Sequence, residues 1–271
     1  MGTSPQKLAR RSFAALLRNH PDVISVADAV EGLKLTAPMA AKRLARWADQ
    51  GWLRRVRQGV YVPVPMGASS PEQAPEDAWV LASELFEPCF IAGWSAAEHW
   101  GLTEQLFPSV AVITSKLVRS RNPTIGRTRF HLKTLKPEFI FGTRMEWRGQ
   151  HKIAVADPSR TMLDILDDPR FGGGIRFVQD VLREYLGSEH KDLPLLLTYA
   201  KRLGRGTVFK RLGYLLEQAG GSKKVVAECE KQISKGPTQL DPSRPGKRMA
   251  TRWGLWLPDG FEKQKKHDSQ D

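Results

Sequence analysis

Apolar residues recur at helical spacing through the first fifty positions. Over 7–18, Leu8, Phe13, Leu16 and Leu17 form a stripe among basic residues, which predicts a helix. His20 followed by Pro21 closes it, because the residue before a proline disfavours the helical region. Ser25 is placed to cap a second, short helix carrying Val26, Ala29 and Val30, with Gly32 as its stop. A third helix is expected from Thr36, as N-cap, to about Gln50, with Gly51 as the stop signal. The pattern then turns β-rich: 52–56 and 60–62 flank Arg57-Gln58-Gly59 and read as a hairpin. Three short helices followed by a hairpin are the layout of a winged helix-turn-helix.

Further on, 77–87 reads as a helix and 89–92 as a strand. Ser95 and Glu98 have capping-box spacing, predicting a helix that starts at Ser95. Strands are expected at 110–114, 128–134 and 139–141, with a hairpin over 144–155 that turns at Arg148-Gly149-Gln150. From 158 the period is helical, over 158–167, 175–186, 193–203 and 207–219, ending at Gly220-Gly221. The predicted fold class is α+β (mixed), a winged helix-turn-helix followed by a larger mixed α/β domain with a helical C-terminal half. The Pro/Gly/Ser-rich stretch places a linker at 67–75. The expected division is 1–66 for the winged helix, 76–260 for the larger domain and 261–271 for a disordered tail.

Charge sharpens this division. The 271 residues carry a net charge of +13. Residues 1–66 contribute +7, 67–115 contain no Lys or Arg and contribute −7, and 116–152 contribute +8. A solvated surface with no selected partner would more often mix its signs, so the two blocks are candidate polyanion-facing surfaces, the first a stronger one than the second. No apolar run approaches the ~18–20 residues that cross a bilayer, so no membrane-spanning role is expected. The opening MGTSPQKLARR has no apolar segment of a secretory signal, and Gln6 stands where N-myristoylation wants Ser or Thr. Cys89 and Cys229 lie far apart, which argues against a disulfide scaffold or a cysteine zinc site and fits a reducing cytoplasm.

On the third helix, Ala40, Ala41, Leu44, Trp47 and Ala48 share one face, which would pack on the first two helices. Met39, Lys42, Arg43 and Arg46 lie on the other. A helix fits the major groove of B-DNA, and Arg or Lys there reaches guanine edges or phosphates. The hairpin adds Arg54, Arg55 and Arg57, suited to phosphates or the adjacent minor groove. The bland alternative is a structural unit with a solvated basic face; helix, wing and local charge together favour double-stranded DNA. A second basic set, Arg119, Arg121, Arg127, Arg129 and Lys133, lies on a loop and an adjoining strand. Its odd positions alternate with Phe130 and Leu132, so one strand face would be cationic. Charge alone weighs equally for a solvated sheet face and for a second nucleic-acid or partner surface.

Other chemistry is thin. Asp157 before Pro158 reads as a helix N-cap, and Asp164, Asp167 and Asp168 as helix and turn chemistry rather than a metal cluster. Gly172-Gly173-Gly174 lacks the Lys-Ser/Thr of a phosphate loop. His99 and His131 show no ligand spacing, and Ser95 and Ser159 have no local partner that marks a nucleophile. No catalytic residue, metal or cofactor is expected, and the chain is not read as an enzyme.

The stretch from Val23 through Val62, a helix, then TAPMAAKRLARWADQGWL and RRVRQGVYVP, resembles the N-terminal domain of the AbiEi antitoxins of type IV toxin–antitoxin systems. GWSAAEHWGLT at 93–103 and DPSRTMLDIL at 157–166 are similar to further segments of that family, and RWGLWL at 252–257 matches more weakly. The resemblance covers at least 5–220. It implies a DNA-binding antitoxin that represses its own operon by binding promoter repeats through the winged helix. It implies a C-terminal domain that counters a toxin with a nucleotidyltransferase-like fold, without requiring direct contact. Lys42, Arg43, Arg46 and Arg57 would take the recognition-helix and wing positions. Two copies on a repeat one turn apart would span ~34–36 Å, which suits a dimer or cooperative pair. Other readings are a nucleic-acid-processing enzyme that uses the winged helix for targeting, and an interaction adaptor that does not bind DNA.

Overall fold

The computed structural model describes residues 5–65, 67–68, 70–71 and 77–261. It opens with α1 (Pro5–Asn19), β1 (Ile24–Ser25), α2 (Val26–Leu33), α3 (Ala37–Asp49), β2 (Leu53–Arg57) and β3 (Val60–Pro63). The strands form an antiparallel sheet in the order β1-β3-β2. This is the expected winged helix plus one strand: two residues, Ile24 and Ser25, are too few to carry a period. Ser25 caps α2 in a reciprocal box with Asp28. The predicted stop at Gly32 is incorrect. The helix runs through Gly32 to Leu33, and Lys34 ends it with a left-handed φ of 52°. Gly32 instead serves packing, since a Cβ there would stand 2.9 Å from Leu16 Cδ1 of α1. Thr36 sits at the N-cap of α3, but its hydroxyl makes no capping bond.

Strand β3 joins two cores through its alternation. Tyr61 faces a small core with Leu16, Ile24, Ala29, Ala40, Leu44, Trp47 and Leu53, while Val60 and Val62 belong to the large core of the rest of the chain. The wing sheet is therefore covered on both faces. Asp22 spans the same junction, its Oδ2 lying 3.2 Å from His151 Nε2.

The larger part begins with α4 (Ala78–Phe86), whose first amides are taken by the Asp77 carboxylate. Then come β4 (Cys89–Ile91), α5 (Gly93–His99), β5 (Ser109–Thr114), β6 (Thr124–Ile125), β7 (Thr128–Thr134), β8 (Thr143–Arg148) and β9 (His151–Ala156). They form one mixed sheet in the order β6-β7-β5-β4-β9-β8, with β7 parallel to β5 and β4 parallel to β9. Two expectations fail here. Ser95 does not cap α5: the helix starts at Gly93 after Ala92, and the Ser95 hydroxyl accepts from Ala111 N at 3.0 Å. Gly93 makes that start with a φ of 53° and no side chain, where a Cβ would stand 2.5 Å from Phe171 O. The strand expected at 139–141 is a single 3₁₀ turn, Pro137–Phe139, and the segment after it, because the Phe139 and Ile140 amides are taken by turn bonds to Lys136 O and Pro137 O.

The helical half follows as α6 (Pro158–Asp167), α7 (Ile175–Gly187), α8 (Leu193–Leu203), α9 (Gly206–Gln218) and α10 (Lys223–Glu230). Helix α6 is central, buried from Pro158 through Leu166 and packed by α5, α7, α8 and α9. A small sheet closes the chain: β10 (Thr238–Gln239), β11 (Gly246–Ala250) and β12 (Leu255–Pro258), in the order β10-β12-β11. The fold is thus mixed α/β. Most of the expected linker and all but one residue of the expected tail lie outside the described residues; Phe261 is buried with its ring 6.4 Å from Tyr214. Among the described residues no helix is long and apolar enough to cross a membrane.

Candidate nucleic-acid interface

Helix α3 divides as its period predicts. Ala40, Leu44 and Trp47 are fully buried, while Ala41 and Ala48 are half-buried at the margins. Lys42 and Arg46 lie at the middle of the opposite, exposed face, beside Met39 at 56% exposure. Arg43 sits at the border instead, half-buried, with its guanidinium carbon 5.9 Å from the centre of the Trp47 ring. Trp47 is itself wedged by Phe13 and Trp52, at 5.1 and 6.4 Å between ring centres. The basic helix thus stands on an aromatic base, and Arg43 is positioned by it. Lys42, Arg43 and Arg46 make no ion pair among the described residues.

The wing is bent by an irregularity between Arg55 and Arg57, and Gly59 supplies the turn with a φ of 78°. Arg55 and Arg57 are exposed, and Arg54 is half-buried. The C-terminal part of α3 and the first half of the wing meet at one cleft. A cleft of about 350 Å³ is lined by Ala45, Ala48 and Asp49 of α3 and by Arg54 and Arg55 of β2. The turn of the wing folds back on α2, where Val26 N donates to Gly59 O at 3.0 Å.

The second basic set does not form one surface. Arg119 lies with Lys116 and the wing residues Arg57 and Gln58 along a groove of about 640 Å³, floored by Leu85, Phe86, Ile125 and Leu132. Arg127 and Arg129 are exposed at the β6–β7 turn and on β7. Arg121 and Lys133 line a separate pocket. Lys133 departs from the expected free cationic face, because its ammonium is held 2.7 Å from Asp167 Oδ2. The proximity of the wing to the 116–120 segment carried no sequence signal; it depends on how β3 docks on the large core.

The acidic residues have structural partners. Asp157 caps α6, its Oδ1 accepting from Arg160 N at 2.8 Å. Asp164 is paired within the core to Arg160, 2.9 Å from Nε. Burial pushes its carboxyl up, against the opposing charge of Arg160. Among the described residues no group of three or more His, Cys, Asp or Glu is placed to hold a metal. Cys89 and Cys229 are free thiols, each pushed up to about 12 chiefly by burial.

These features define a winged helix docked on an α+β body. Residues 13–64 match the family model described as "Transcriptional regulator, AbiEi antitoxin". No curated protein matches the chain. Among solved structures, the chain is similar to the RV2827C protein from Mycobacterium tuberculosis, with a TM-score of 0.59 and 17% identity over 92% of this chain and 90% of that one. That likeness is one of fold.

Proposed function

We propose that the protein is a DNA-binding antitoxin and transcriptional autorepressor of a type IV toxin–antitoxin operon. Helix α3 enters the major groove with Lys42 and Arg46, Arg43 at its border and Met39 against base edges. The wing arginines Arg54, Arg55 and Arg57 take backbone phosphates or the neighbouring minor groove. Arg119 and Lys116, beside Arg57, extend that phosphate track, with Arg127 and Arg129 further along β7. A dimer or cooperative pair would occupy the promoter repeats. The body beyond the wing counters a nucleotidyltransferase-like toxin. The observation that carries this reading is the exposed pair Lys42 and Arg46, in no ion pair among the described residues, on the helix of a winged module whose 13–64 segment matches a transcriptional-regulator family.

The test is a gel shift on the chain's own promoter, with a toxin co-expression arm. The reading expects binding that favours the promoter over scrambled DNA and growth rescue from the neighbouring toxin gene. Arg46→Ala should lower promoter affinity and reduce the preference, while Arg57→Ala should weaken all sequences about equally. Absence of promoter preference removes the repressor; rescue by a chain lacking the winged helix locates the second activity in the body.

A further inference from the structure

A second concavity, of about 390 Å³, adjoins the wing groove, and Leu132 lines both. Four cations from four separate segments meet on it: Arg121 from the loop before β6, Lys133 from β7, Arg170 from the 3₁₀ turn after α6, and Arg205 at the start of α9. Two carboxylates fix three of them in place. Asp167, almost fully covered, takes Lys133 Nζ at 2.7 Å and Arg205 Nη1 at 2.5 Å. Asp168 takes Arg170 Nε at 3.0 Å and Nη2 at 3.2 Å. Two positive charges remain in excess. Arg121 makes no ion pair or side-chain hydrogen bond among the described residues. Arg205 commits one of its five donors to Asp167.

One wall is aromatic. His131 Nδ1 lies 2.5 Å from Asn122 Oδ1, and its ring stands 5.1 Å from Trp94 and 5.5 Å from Phe171. Burial holds this imidazole below its ordinary value, against the pull of Asp168.

We propose that this pocket binds a small phosphate-bearing ligand of the nucleoside di- or triphosphate class. Guanidinium forks match phosphate oxygens in pairs, and the volume suits a mononucleotide rather than a duplex. Arg121 and Arg205 supply the uncommitted donors, Arg170 and Lys133 add charge, and His131 with Asn122 forms a flat wall beside them. The carboxylates keep Lys133, Arg170 and Arg205 converged. This inference stands on its own residues and does not require the DNA-binding reading.

Calorimetric titration of the full chain with sodium pyrophosphate and with ADP tests it, with sodium chloride of matched ionic strength as control. Arg121→Ala is the first variant, because no internal bond depends on that side chain. Arg46→Ala on α3 is the second. The expected result is saturable one-to-one binding of ADP and pyrophosphate, weakened about tenfold or more by Arg121→Ala as charged hydrogen bonds are lost, and unchanged by Arg46→Ala. Promoter affinity should be unchanged by Arg121→Ala. The proposal is overturned by heats that match the chloride control, or by unchanged ADP binding in Arg121→Ala. It is overturned too if Arg121→Ala weakens promoter DNA as strongly as ADP, which would make the pocket a stop on the duplex backbone.

Discussion

Arg211 is buried in α9 with no carboxylate bonded to it, and it holds four backbone carbonyls from two distant segments. Its Nη1 donates to Leu166 O at 2.8 Å and Asp167 O at 2.9 Å, the orphan acceptors at the end of α6. Its Nε and Nη2 donate to Leu240 O at 3.1 Å and Gln239 O at 3.0 Å, at β10 and just after it. One side chain thus caps the central helix and anchors the closing sheet. Replacing it with methionine keeps the apolar stem and removes all four bonds. The Leu166 and Leu240 bonds are fully buried and the other two partly so. Two buried acceptors left bare at ~1–3 kcal/mol each, plus a smaller cost for the two that water can reach, come to about 4 kcal/mol. Part of the wild-type gain is offset by desolvating the guanidinium, since burial holds Arg211 below its ordinary value against the nearby aspartates. At ~2–4 °C per kcal/mol for a chain of this size, the melting temperature should fall by roughly 10 °C. Urea denaturation gives the free energy, and limited proteolysis gives the location. Cleavage should appear first within 231–261 while α6 to α9 stay resistant. A loss under about 1 kcal/mol, or unchanged cleavage there, would refute the claim that Arg211 ties the last segment down.

Other substitutions probe separate parts of the account. Burial alone would raise the Asp167 carboxyl, but the Lys133 charge and the hydrogen bonds from Arg205 and Lys133 outweigh it and hold it low. A depressed folded value stabilises above the unfolded value near 3.9, and the gain is lost as pH falls through the folded one. The gap between wild type and Asp167→Asn should therefore be widest at neutral pH and narrow below about pH 4 in urea titrations. Trp47→Ala empties the centre of the small core and should cost ~3–5 kcal/mol, read by urea denaturation. In Gly213→Ala the new Cβ would stand 2.1 Å from the Trp253 ring and 3.0 Å from Cys229 Cβ. A loss of about 3 kcal/mol from this overpacking should appear in thermal melts.

The sequence was most informative where one period ran unbroken against one partner. The stripe Ala40, Leu44 and Trp47 specified the inner face of α3, and with it the outward position of Lys42 and Arg46. Arg43 shows the limit of that logic. It is three residues from Arg46, yet the helix turns it to the margin, where Trp47 rather than solvent defines its environment. Local motifs misled where a tertiary contact overrode them. Ser95 and Glu98 have capping spacing, but Phe171 presses against Gly93 and starts the helix two residues earlier. The closing sheet was illegible because its strands are short and held by Arg211 from thirty residues away rather than by a turn. The pocket of Arg121, Lys133, Arg170 and Arg205 was invisible for the same reason, since its members are gathered only by folding.

The most direct measurement is the salt dependence of promoter binding by fluorescence anisotropy, for wild type and for the double variant Lys42→Ala with Arg46→Ala. Neutralising five or six phosphates predicts a log–log slope of about −5 for wild type. Removing the Lys42 phosphate contact should reduce that slope by about one unit, and losing the Arg46 base contact with it should lower affinity at every salt concentration. An unchanged slope and affinity in the double variant, with the protein folded, would contradict DNA recognition by this helix.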